Sequence, residues 1–200
     1  MSRHSVGRIL RWSQRVLLIA GTSLVAYCGF VMVDAWNFQR VERRRIENLP
    51  PVRHEAVSRS PRPRTFPATT GDLIGLIQIP RLDLSVVVIE GASAKVLRRG
   101  AGHIPGTALP GDPGNTAISG HRDTFFLPLA NIRLNDRITL TTLQGEYSYR
   151  VVSTKVVKPS DMSVLNQSRD EVLTLVTCYP FYLVGPAPDR FIVRAKRVTE

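Results

Sequence analysis

The side chains with most chemical reach here are thiol, imidazole and guanidinium. The chain of 200 residues carries two cysteines and four histidines. Cys28 lies within an uncharged apolar run, so Cys178 is the one thiol outside it. Cys178 ends the stretch Val172-Leu173-Thr174-Leu175-Val176-Thr177, which is β-branched or aliphatic, carries no charge, and is stopped by Tyr179-Pro180. That composition reads as a buried strand ending on a thiol. A lone cysteine is ordinarily a small buried hydrophobe, and an unpaired thiol in an oxidising compartment is a liability unless it is used. It becomes a nucleophile when a base or a cation stabilises its thiolate.

Two imidazoles are candidates for that base. His103 sits in Gly102-His103-Ile104-Pro105-Gly106, and His121 in Ser119-Gly120-His121-Arg122-Asp123. Spacing leaves both open and leans to His121, which ends a strand after a glycine that allows close approach. His54 falls in a Pro/Arg-rich stretch and reads as solvent-exposed. Arg190 begins the last strand, after a loop with three prolines and a glycine. An antiparallel return would put its guanidinium near Cys178, where it could donate to an oxyanion. It reads equally well as a solvated surface residue in line with Arg194 and Lys196.

The elements that must position these groups are mostly strands. Patterning predicts strands over 72–80, 84–90, 115–121, 136–143, 146–157, 172–178 and 190–198. A turn or two of helix is expected over 93–99, capped by Ser93 and ended by Gly100, and a brief helix near 124–130. Residues 104–114 are a Pro/Gly-rich loop, and 158–171 a connection. Seven or eight short strands with few helical residues argue a closed or nearly closed β-barrel.

Ahead of this domain, residues 16–33 carry no charge, and Trp12 and Trp36 flank them. The run suits an uncleaved transmembrane helix near the lower length limit, in preference to a signal peptide, because no small-x-small cleavage site follows. The expected organisation is a basic N-terminus over 1–15, an anchor over 16–36, a Pro/Arg-rich tether over 37–69 and a catalytic domain over 70–200. A short amphipathic helix is expected at 37–49. The formal net charge is +11, of which +8 falls in residues 1–65. Basicity therefore belongs to anchor and tether, where anionic lipid is the natural partner. No basic stripe with interleaved aromatics marks the domain, which argues against nucleic acid. Arginines flank the apolar run on both sides, so charge alone leaves its orientation open.

Thr174-Leu175-Val176-Thr177-Cys178, with Arg190 following and Ser119-Gly120-His121-Arg122-Asp123 upstream, resembles the signature of the sortases. These are membrane-anchored cysteine transpeptidases. The resemblance spans residues 70–198, and the segments GHIPGTALPG, GNTAISGHRDTFF, LTLVTCYPF and VGPAPDRFIVRA look most similar to the class D group. It implies an all-β fold, the eight-stranded sortase-type barrel with one or two short helices after an N-terminal transmembrane helix. It also implies roles. Cys178 would be the nucleophile toward a Leu-Pro-x-Thr-Gly-like sorting signal. His121, chosen by the resemblance over His103, would be the general acid and base. Arg190 would hold the substrate and stabilise the oxyanion, with support from Thr177. The implied partners are a secreted protein bearing that signal and an amine acceptor on the envelope, with the catalytic domain outside the cytoplasm.

No cofactor is expected. The 158–171 connection offers Asp161, Asp170 and Glu171, too scattered for a hard-cation cage, so no metal is expected either. Two other functions fit the same residues: a thiol hydrolase using water as acceptor, and a non-catalytic envelope-binding barrel.

Overall fold

The computed structural model of the protein describes residues 3–48 and 68–198. Helix α1 (Arg3–Glu47) comes first, followed by eight strands: β1 (Leu73–Ile79), β2 (Leu84–Glu90), β3 (Ala101–His103), β4 (Asn115–Ser119), β5 (Arg137–Thr142), β6 (Gly145–Val157), β7 (Val172–Tyr179) and β8 (Asp189–Arg197). A short helix α2 (Ala94–Leu97) lies between β2 and β3. The strands close into a barrel in the order β1-β2-β3-β4-β7-β8-β6-β5. Antiparallel pairing of β5 with β1 completes the ring.

α1 is long and apolar enough to cross a membrane. Residues up to Phe38 form one compact unit, and Gln39 onward group with the barrel. Of the segment expected as a tether, residues 39–47 are the last turns of α1. Gln39 takes the Val87 amide on its Oε1 at 2.9 Å and donates to the Arg99 carbonyl at 2.6 Å. Arg43 donates to the Ser85 carbonyl at 2.6 Å, and Ile46 is buried. Residues 49–67, including His54, lie outside the described residues.

The barrel interior is filled by one apolar cluster that includes Ile77, Ile79, Val86, Val88, Ile118, Phe126, Leu129, Ile138, Leu140, Leu173, Leu175 and Val193. Alternation explains most of it: β5 buries Ile138, Leu140 and Thr142 and leaves Arg137 exposed. β1 and β2 bury residues on both faces, which is why they read as mostly aliphatic runs, broken by Gly75 and Gln78 in β1 and by Ser85 and Glu90 in β2. Ser93 caps α2 by accepting from the Val96 amide at 3.4 Å. The brief helix expected near 124–130 is a 3-10 turn over Leu127–Asn131, with Pro at its start.

Two parallel pairings cross the barrel, β2 with β3 and β4 with β7. The second is fixed by buried polar groups. Thr174 donates to Asn115 Oδ1 at 2.6 Å, and Asn115 Nδ2 donates to the Val164 carbonyl at 2.9 Å. Each buried polar atom in that chain has its partner, so the register is costly to slip.

Candidate active site

β7 and β8 run antiparallel with Cys178 opposite Arg190 and Tyr179 opposite Asp189. The loop of residues 180–188 thus returns the chain so that thiol and guanidinium sit side by side on adjoining strands. On the other side of β7, the parallel ladder with β4 places Ser119 opposite Val176. It runs on past the strand: the Gly120 amide donates to the Val176 carbonyl at 3.1 Å, and Thr177 Oγ1 donates to the Gly120 carbonyl at 2.7 Å. β4 ends at Ser119, and His121 follows two residues on, directly after the Gly120 contact with Thr177. In the barrel β7, which carries Cys178, lies between β4 and β8.

Backbone bonds on both sides hold His121, since its own carbonyl accepts from the Phe126 amide at 2.9 Å. That return brings the fully buried Phe126 ring against Gly120, where a Cβ would lie 2.7 Å from ring carbons. Glycine before the histidine is therefore a packing requirement. His121 and Cys178 are both half-buried, open enough to meet a ligand. Arg190 is half-buried too, and its Nη1 donates to the Asp189 carbonyl at 2.9 Å and to the Ala187 carbonyl at 3.3 Å. Lys158 pairs with Asp189 at 2.8 Å and ties the end of β6 to the start of β8. Tyr179 stacks on Phe191 with centroids 6.2 Å apart, and Phe181 meets Phe191 edge-on at 5.3 Å. These rings stiffen both strands beside the thiol.

His103 occupies a different setting. It is 2 % exposed, at the end of β3, directly across the ladder from Glu90. Its Nδ1 lies 2.6 Å from Glu90 Oε2, and its Nε2 lies 3.0 Å from both the Ala108 carbonyl and Thr107 Oγ1. Both ring nitrogens are engaged, and the pair anchors the start of the Pro/Gly-rich loop. Thr177 is 2 % exposed, with its hydroxyl committed to Gly120. Any support it gives an oxyanion must come through the position of its neighbours.

The carboxylates of the 158–171 connection go separate ways. Asp161 accepts from the Ser163 hydroxyl and amide, which hold its carboxyl below the usual range. Asp170 faces Lys196 at 3.6 Å. Glu171 faces Arg197 at 3.3 Å, and burial pushes its carboxyl up against that cation's pull.

Two residues that matter here escaped sequence reasoning. Glu90 carried a signal, since an acid ending an all-apolar strand needs a buried partner. Arg122 is buried beside His121 and donates to three carbonyls of the 180–188 loop. Its only hint was a proline-rich loop with few amide donors of its own.

A closed barrel that sets a lone thiol opposite a guanidinium, with an imidazole just past the end of the neighbouring strand, can frame cysteine chemistry. The family model "Sortase domain" matches residues 77–198. "Sortase D" of Bacillus subtilis (strain 168) is 32% identical over 190 residues, covering 92% of this chain and 96% of the relative. Among solved structures, a Clostridium perfringens sortase D5 transpeptidase superposes with a TM-score of 0.61 at 35% identity, over 66% of this chain and 83% of that one. Clostridium perfringens sortase C with the C-terminal cell wall sorting motif gives 0.61 at 30% identity, over 66% and 74%. The chain belongs to the sortase family, the cysteine transpeptidases.

Proposed function

We propose that the protein is a membrane-anchored transpeptidase that cuts a Leu-Pro-x-Thr-Gly-like sorting signal and transfers the protein to an amine on the cell envelope. The observation that carries this reading is the register: Cys178 lies opposite Arg190, and His121 follows two residues past the end of β4, the strand on its other side. Cys178 passes its thiol proton to His121 as Sγ attacks the scissile carbonyl carbon, and the carbonyl π electrons move to oxygen. Arg190 donates to that oxyanion and to the neighbouring peptide. Collapse expels the amine, protonated by His121, and leaves a thioacyl enzyme. The incoming amine gives its proton to His121, forms the new amide and releases the thiol. Thr177 serves this by fixing Gly120, and with it His121. A solved relative carries a cell wall sorting motif, which supports the substrate class. α1 supports the anchor, and in this reading a substrate and acceptor on the cell envelope require the barrel outside the cytoplasm.

The test uses the full chain in detergent micelles with a labelled Leu-Pro-x-Thr-Gly peptide, with and without an added amine. The expected result is a peptide–amine conjugate that depends on Cys178 and disappears in Cys178→Ala. Hydrolysis alone at saturating amine would sink the transferase reading in favour of a thiol protease. A Cys178→Ala protein that keeps full biological function would sink both.

A further inference from the structure

We propose that Arg122 is a positioning residue for this reaction: its guanidinium sets the conformation of residues 180–188, and through them the place where the scissile carbonyl meets Cys178. The inference rests on the transpeptidase reading above and adds a residue to it.

Arg122 is 8 % exposed, although it carries the longest and most polar side chain of its segment. Its Nη1 donates to the Pro180 carbonyl at 3.0 Å, and its Nη2 donates to the Leu183 and Gly185 carbonyls, each at 2.7 Å. All three acceptors lie on the loop joining Cys178 to Arg190. Arg122 itself follows His121 directly. One guanidinium therefore links the histidine side of the site to the loop that carries thiol and arginine at its two ends.

Packing holds only the start of the loop, where Phe181 is buried in the core cluster. The loop tip points its apolar side chains outward: Tyr182 is 81 % exposed, Leu183 43 % and Val184 98 %. Pro180, Pro186 and Pro188 have no amide hydrogen to give. The loop is consequently rich in carbonyls that need donors, and a planar fork with five N–H groups is suited to gathering several at once. Desolvating a cation is costly unless its donors are used. With three carbonyls converging on it, the buried guanidinium holds the loop in one shape. An ammonium on a flexible stem cannot match that spread, so lysine is not a conservative replacement here. Near the reacting atoms a displacement of about 1 Å can cost about 100-fold in rate.

The test compares wild type with Arg122→Gln, Arg122→Lys and Arg122→Ala, all as full chains in detergent micelles. Amide hydrogen exchange over residues 181–187 is expected to quicken by about 10-fold or more in Arg122→Gln, with the β7 amides unchanged. Alkylation of Cys178 by iodoacetamide should stay within about two-fold of wild type, because the thiol itself is untouched. The kcat/KM for the sorting peptide should fall by about 30- to 100-fold in Arg122→Gln and Arg122→Lys, and added guanidinium ion should restore part of it in Arg122→Ala. Exchange that does not change in Arg122→Gln overturns the clamp. So does kcat/KM within about three-fold of wild type. A loss that tracks collapse of alkylation and of the unfolding midpoint, with no rescue by guanidinium, shows a merely structural arginine and also overturns it. If wild type itself leaves the peptide uncut, the substrate reading has failed, and the exchange result alone then decides the clamp.

Discussion

His103 and His121 sit in similar local sequence, yet the structure requires that their removal do opposite things. His103→Ala deletes one member of a buried pair and strands the other. Glu90 is 6 % exposed and would lose the ring nitrogen 2.6 Å from its Oε2. Leaving a buried polar group without its partner costs about 1–3 kcal/mol, and the cavity left by the ring brings the loss to about 3–5 kcal/mol. For a domain of this size each kcal/mol lowers the midpoint by about 3–5 °C, so His103→Ala should melt about 10–20 °C below wild type. Adding Glu90→Gln should return part of that loss, because a neutral amide is cheaper to bury. His121→Ala removes a half-buried ring at a strand end and should move the midpoint by only about 2–4 °C. Its kcat/KM on the sorting peptide should fall by about 100- to 10,000-fold, the range for a lost general acid–base. The assay is thermal unfolding by circular dichroism, paired with steady-state kinetics at a temperature where every variant is folded. A His103→Ala protein melting within about 2 °C of wild type would refute the buried strut. Retained activity in His121→Ala, with loss in fully folded His103→Ala, would reverse the catalytic assignment.

Thr177→Val keeps the shape of the side chain but leaves the buried Gly120 carbonyl without its 2.7 Å donor. It should cost about 1–3 kcal/mol in urea unfolding and lower kcat/KM about 10-fold, whereas Thr177→Ser should keep most activity; an inert Val variant would show the bond positions nothing. Gly120→Ala drives a methyl to 2.7 Å from the Phe126 ring and should destabilise by about 1–3 kcal/mol, with Phe126→Leu relieving part of it. A variant that unfolds like wild type would mean Phe126 can step aside freely. Asp136 accepts two bonds from Arg81, which hold its carboxyl below the usual range, so its folded value lies under its unfolded one. The stability it contributes is present above the unfolded value and is lost as pH falls through the folded one. The gap in urea midpoint between wild type and Arg81→Gln should therefore shrink between about pH 5 and about pH 3, and a gap constant across that window would refute the linkage.

The strands were legible because each is a run of β-branched and aliphatic residues long enough to show its period or its unbroken burial. β3 was not. Ala101–His103 is three residues long, with a glycine at its centre because a Cβ there would lie 2.2 Å from the Gly91 carbonyl oxygen. No periodicity can be read from three residues, and what makes them a strand is the ladder to β2. The full extent of α1 was hidden for a related reason. Residues 39–47 look like a polar emergence from a membrane until Gln39 and Arg43 find carbonyls and an amide on the barrel.

The site divides along the same line. A short loop returning an antiparallel strand is local in sequence, so the pairing of Cys178 with Arg190 could be foreseen as one of two options. His121 follows β4, which meets the strand of Cys178 through a parallel pairing, and that needs a long crossover; here it spans 57 residues, the separation between Gly120 and Thr177. Nothing in the intervening chain states that register. It is specified by Asn115 bonding Thr174 and by Gly120 bonding Thr177, pairs whose members are each unremarkable polar or small residues on their own. Likewise, what separates His103 from His121 is Glu90, thirteen residues away on another strand. Residue types thus reveal which groups can do the chemistry, while long-range pairing decides which of two similar imidazoles is spent on the fold and which is left half-buried past the end of β4.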